Sequence, residues 1–118
     1  MRQINRQTNP ILNIVAAACL ALAFIPMAQA ADAEINITIE HNHFIPAEIK
    51  APAGQRIKLM VLNKDATPEE FESGPLKVEK IISGGKRGLM FIGPLAPGRY
   101  PFFGEFHKDT AQGVLIAE

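Results

Sequence analysis

Glu34-Ile35-Asn36-Ile37-Thr38-Ile39-Glu40 is the stretch whose reading decides the fold class. Its isoleucines fall on every second residue, and Asn36 and Thr38 take the other parity. Period two with β-branched residues marks a strand with one buried face; a helix would repeat its apolar residues at three- and four-residue intervals. Toward the C-terminus, Pro46 and Pro52-Ala53-Gly54 punctuate the chain, and Arg56 to Leu62, apolar on both faces, predicts a second strand. Asn63-Lys64-Asp65 opens a polar loop through Thr67-Pro68-Glu69-Glu70, with one helical turn conceivable near Thr67 to Phe71. Leu76 to Ile82, turned by Gly84-Gly85, then Leu89 to Ile92, Tyr100 to Phe103 and Val114 to Ala117 predict the remaining strands. No stretch sustains a helical stripe. Short strands divided by Gly/Pro turns predict an all-β sandwich or barrel.

Toward the N-terminus the character changes. Arg2 and Arg6 precede an apolar run from Ile11 to Met27, interrupted by Asn13, and Ala28-Gln29-Ala30 closes it. A basic start, an apolar middle and an A-x-A close predict a signal peptide over residues 1–30, cleaved before Ala31. The run is short of the ~20 residues a span needs, and Pro26 breaks it, so the exported chain is expected in the periplasm and not embedded in the membrane. The single cysteine, Cys19, lies inside the signal, behind Ala16-Ala17-Ala18, a poor lead-in for lipidation. Residues 31–118 are then one thiol-free domain, able to bury roughly 60–65% of its unfolded surface. With Arg2 and Arg6 removed, ten basic residues face twelve acidic ones. That balance offers no field for nucleic acid and no basic patch for a membrane surface.

Side chains able to hold a metal gather in three short segments: His41-Asn42-His43, Glu69-Glu70-Phe71-Glu72 and Glu105-Phe106-His107-Lys108-Asp109. Each sits where a strand should meet a loop. His41 and His43 share the parity of Ile35, Ile37 and Ile39, so a continuing strand would bring both imidazoles out at the end of the buried face. Glu70 and Glu72 share one side of the chain around Phe71, and Glu105 and His107 share one around Phe106. The plainer readings are partly exposed histidines on a sandwich, acids at a loop tip or in a first helical turn, and Met60 and Met90 as core rather than soft ligands. The candidate ligands are His43, Glu70, Glu72, Glu105, His107 and Asp109. Imidazole with carboxylate suits iron in either oxidation state, copper(II), manganese(II) or zinc(II).

The run Tyr100-Pro101-Phe102-Phe103-Gly104-Glu105-Phe106-His107 resembles the copper loop of cupredoxins, Y-x-F-x-C-x-x-H, with Gly104 at the cysteine and His107 at the C-terminal histidine. His43-Phe44, Pro46, Ile49, Pro52-Ala53-Gly54 and Asn63 are similar to the N-terminal half of small cupredoxins. Three blocks, Thr67 to Ser73, Gly93 to Tyr100 and Phe102 to Gly113, resemble the EfeO-type cupredoxin-like proteins that accompany bacterial high-affinity iron permeases. The resemblance implies a Greek-key β-sandwich of seven or eight strands. It implies an accessory of iron uptake that binds iron, or copper used to oxidise iron, and serves an inner-membrane permease together with other periplasmic components. It places Glu70 or Glu72 at the first histidine of the copper set, and Ala111 or Gln112 near the methionine. Without the cysteine, blue-copper electron transfer does not carry over. The rival readings are a copper carrier or electron-transfer protein with a non-blue site, which Met90 within reach of His107 would favour, and a metal-free interaction domain.

Overall fold

The computed structural model describes residues 18–26 and 32–118. Most of the expected signal peptide and its cleavage site lie outside the described residues. Among the described residues no helix is long and apolar enough to cross a membrane.

The strands are β1 (Ala33–Glu40), β2 (His43–Ile45), β3 (Glu48–Ala51), β4 (Ile57–Asn63), β5 (Glu69–Ser73), β6 (Val78–Ile82), β7 (Arg87–Ile92), β8 (Gly98–Gly104) and β9 (Gln112–Ala117), with a 3-10 helix at Glu105–His107. They form two sheets, ordered β2-β1-β4-β7 and β3-β9-β8-β5-β6. β1 runs parallel to β4, and β3 parallel to β9; the other pairings are antiparallel. This is the expected β-sandwich, one domain, with more strands than the seven or eight anticipated because β2 and β3 are short separate elements.

Period two does the sorting. Ile37 and Ile39 of β1, Ile57, Leu59 and Val61 of β4, and Met90 and Ile92 of β7 are buried against Phe71 of β5, Phe102 of β8 and Leu115 of β9. At one end of the sandwich three rings close the core. Phe71 and Phe102 stack with centroids 5.0 Å apart, and Phe44 meets them edge-on at 5.6 and 5.1 Å. Aromatic contacts of this kind contribute ~0.5–1.5 kcal/mol beyond burial. Phe44 and Phe71 sit next to His43, Glu70 and Glu72 on their strands, and Phe102 lies on the strand that leads into the Glu105–His107 helix.

Two local expectations are corrected. Glu69–Ser73 is a strand rather than a loop or helical turn, paired on both sides by β6 and β8. And β1 does not run on through His41. It ends at Glu40, and His41 and Asn42 form a two-residue hairpin turn with φ of 53° and 57°. That left-handed pair matches the turn whose twist suits adjoining antiparallel strands. Asp65 holds it, accepting the backbone N–H of His41 at 2.8 Å and of Asn42 at 2.9 Å. The turn reverses the parity: Phe44 goes into the core, and His43 and Ile45 are exposed on the outer face.

Candidate functional site

The centre of the site is a residue that the candidate set omits. Glu69 begins β5 on the inward parity shared with Phe71 and Ser73, and it is 1% exposed. A carboxylate taken out of water is costly unless its lone pairs are satisfied. Here Oε1 accepts the backbone N–H of Glu70 and of Phe106, each at 3.0 Å, and Oε2 accepts from His107 Nδ1 at 2.6 Å.

His107 is held by its own loop. β8 ends at Gly104, the 3-10 helix follows, and the return is closed by Gly104 N–H to the Ala111 carbonyl and Ala111 N–H to the His107 carbonyl, both 2.8 Å. An ionised carboxylate only accepts, so the proton between the two groups belongs to Nδ1, and in the neutral imidazole it is Nε2 that carries the lone pair. The His107 side chain is 29% exposed. It lines a hollow of about 460 Å³ bounded also by Asn42, Glu105, Phe106, Lys108, Asp109 and Thr110. The His41–Asn42 turn therefore stands at the same end of the sandwich as His107.

Of the other nominated residues, Glu105 and Asp109 share the hollow with His107, and Glu70, Glu72 and His43 do not line it. Glu70 and Glu72 point to the outer face of the second sheet, where Glu72 stands across from Glu79 of β6. Hydrogen bonding to the Glu79 carboxyl, desolvation, and the charges of Glu79, Glu72 and Glu105 push Glu70 up to about 7. Desolvation first, then the charges of Glu105 and Glu79, raise Glu72 as well. Glu105 pairs with Lys108 at 3.1 Å, and Lys108 lies 5.7 Å over the Phe103 ring. In a 3-10 helix Glu105 and His107 do not share a face as they would in a strand, and they divide between the acidic patch and the Glu69 pair. His43 Nδ1 donates to the His41 carbonyl at 2.6 Å. Asp109 contributes to the rim of the hollow. Among the described residues, no three His, Cys, Asp or Glu side chains gather so as to hold a metal ion.

The Cupredoxin-like domain family matches residues 12–117 of the chain. The chain belongs to the cupredoxin-like family. The protein RP394 of Rickettsia prowazekii (strain Madrid E), itself uncharacterised, is 43% identical over 83 residues, which is 70% of this chain and 66% of that one. The chain thus spans just under two thirds of that relative's length. Among solved structures, auracyanin A, a "blue" copper protein from Chloroflexus aurantiacus, superposes with a TM-score of 0.64 at 17% identity, covering 75% of this chain and all (100%) of that one. The metal-binding domain of the Streptococcus pneumoniae D39 Cu(I)-exporting P-type ATPase CopA, solved with Cu(I), gives 0.63 at 17% identity, covering 77% and 92%. At such identities the likeness is one of fold.

A blue-copper centre does not fit this cupredoxin-like domain. It needs a Cys thiolate with two imidazoles and a weak axial ligand. Position 104 is glycine, and a Cβ there would lie 2.5 Å from Glu69 Cδ, 2.8 Å from Glu69 Oε1 and 2.7 Å from the Ala111 methyl. The volume a thiol would need is already occupied by a carboxylate. Met90 does not supply a soft ligand either: it is buried on the inner face of β7, in the other sheet.

One signal could have revealed Glu69. Once 69–73 is read as a strand, Glu69 shares the parity of Phe71, and an inward carboxylate demands a partner. The polar spelling Thr67-Pro68-Glu69-Glu70 hid the strand.

Proposed function

We propose that this cupredoxin-like protein is a periplasmic accessory of high-affinity iron uptake of the EfeO type. It takes up iron, or copper used to oxidise ferrous iron, at the His107 end of the sandwich and serves an inner-membrane iron permease and its periplasmic components. One observation carries this reading: the ligand loop keeps its imidazole, pairs it with the buried Glu69 carboxylate, and opens it on a hollow rimmed by Glu105 and Asp109. A histidine whose Nδ1–H is fixed by a carboxylate presents Nε2 as an oriented and more basic ligand. Oxygen-rich surroundings without thiolate favour borderline and harder ions over Cu(I). The cation is cargo here, held by few groups, which suits release to a partner better than retention.

Calorimetric titration with Fe(II) under anaerobic conditions, and with Zn(II) and Cu(II), tests the reading against His107→Ala. Binding that disappears with the imidazole supports it. Binding that is absent, or indifferent to His107, counts against it.

A second reading, a metal-free docking domain for the same uptake machinery, is favoured by a separate observation. Both oxygens of Glu69 already accept hydrogen bonds from the protein. In that case the titrations are silent, and deletion of the protein impairs iron uptake while His107→Ala does not.

A further inference from the structure

We propose that Glu69 is a built-in plug: its one carboxylate fills the slot beside position 104, ties β5 to the 3-10 helix, and closes a latent soft-metal site. This goes beyond the iron-uptake reading and does not depend on it. Three observations carry it. The carboxylate occupies the space into which a side chain at position 104 would grow, with Cδ at 2.5 Å from that Cβ position. The same carboxylate ties together three points of structure: the start of its own strand through Glu70 N–H, the 3-10 helix through Phe106 N–H, and the ring of His107 through Nδ1, the first two being donors that an anion can use and a cation cannot. The remaining wall is the methyl of Ala111, 2.7 Å from that Cβ position, whose backbone pairs with Gly104. Nothing in this arrangement is left for a metal to complete. The loop is ordered by a proton shared between Nδ1 and a carboxylate.

The geometry makes Glu69 and any residue larger than glycine at 104 mutually exclusive. Removing the carboxylate frees the Nδ1 of His107 and most of the room a thiol needs, leaving the Ala111 methyl as the wall to be shifted. A cation taken at the rim, by contrast, engages Nε2 and leaves the plug in place.

Two measurements test this on the full chain. The first is a double-mutant cycle by denaturant unfolding. Gly104→Ala lowers the folding equilibrium constant about ten- to hundredfold with Glu69 present, and with Glu69→Ser the loss is smaller by about fivefold or more; the contact with the Ala111 methyl at 2.7 Å is common to both backgrounds and cancels in the cycle. Glu69→Asp, which withdraws the carboxylate and keeps its charge, serves in place of the serine variant if the latter does not fold. Equal costs in both backgrounds overturn the proposal. In a Cys19→Ser background, Glu69→Ser with Gly104→Cys gives intense Co(II)–thiolate charge-transfer absorption, and Gly104→Cys alone gives none. Absence of the band in the paired variant, or equal bands in both, overturns it too.

The second measurement is ¹⁵N NMR of the His107 ring with Zn(II) added to the parent protein. The Nδ1–H signal persists, whether zinc sits on Nε2 or does not bind. Loss of that proton to zinc would overturn the plug while leaving the uptake reading standing; persistence without any zinc binding supports the plug and counts against the uptake reading.

Discussion

The carboxylate of Glu69 and the imidazole of His107 are 38 residues apart in the chain and 2.6 Å apart in space. This pair makes His107 more than a surface imidazole, and the first prediction follows from it. His107→Ala leaves Glu69 with two backbone donors but without its closest one, and uncovers a buried carboxylate. The expected loss is roughly 1–3 kcal/mol of unfolding free energy, read by urea titration. Zn(II) or Fe(II) affinity falls more than about tenfold, the scale seen when a ligating constellation loses a member. In cells the same substitution impairs growth on limiting ferrous iron and leaves copper tolerance unaffected. Copper sensitivity with normal iron uptake would point instead to a copper carrier.

Copper-loaded protein is expected to lack the intense thiolate-to-copper band of a blue site. Position 104 is glycine, and Cys19 lies in the segment read as a signal peptide. Weak ligand-field colour alone should appear in the visible spectrum. An intense band would mean that a thiol reaches the metal.

The acidic patch gives stability a pH dependence with a definite sign. Glu70 is raised to about 7 by its hydrogen bond to Glu79, by desolvation and by the neighbouring carboxylates. The unfolded chain releases this proton near pH ~4.3, so between the two values the folded state binds more protons. The contribution is complete below about pH 4 and is lost as pH rises through the folded value. Unfolding midpoints should therefore fall between about pH 5 and pH 7.5, and Glu70→Gln should flatten that decline. A slope unchanged in the variant would assign it to other groups.

The His41–Asn42 turn and Asp65 act as one unit. Asp65 is held below the usual carboxylate range chiefly by the Asn42 N–H, and also by the N–H and charge of His41 and the charge of His107, against opposing desolvation. Its stabilisation is present above the ordinary carboxylate pKa and is lost as pH falls through the lowered one. Asp65→Ala should cost ~1–3 kcal/mol by urea titration, and the variant should lose less stability than the parent as pH falls into the acid range. Asn42→Val, forcing a β-branched residue to φ of 57°, should cost about 1–3 kcal/mol on its own. Neutral results would show that the turn does not need its left-handed pair.

The alternation of Ile35, Ile37 and Ile39 announced β1 because one face is buried and the other wet; the short β2 and β3 went unmarked, and β4, β6, β7, β8 and β9 were legible as apolar runs between turn residues. Glu69–Ser73 was not. Its inward positions are Glu69, Phe71 and Ser73, so two of three core-facing residues are polar, and the pattern reads as loop. The site shared that fate. His107 was legible through its loop, whereas Glu69 became visible only when two strands distant in sequence met. His43 misled by parity, because a two-residue turn flips every side chain after it to the other face.

Position in the chain also governs when this end of the molecule is completed. β8 lies between β5 and β9, and β9 in turn pairs with β3 and returns through Ala111 to close the His107 loop. In a polypeptide synthesised from its N-terminus, Glu69 emerges long before the partners that neutralise its burial. The last strand must dock before Gly104, Phe106 and His107 are held around it, and such long-range pairings form late. The His107 loop is therefore finished only after Gln112–Ala117 has emerged and paired. If the loop takes a cation as proposed, that cation is drawn from the compartment where folding ends, and the choice of metal is set by the place of assembly as well as by the donors.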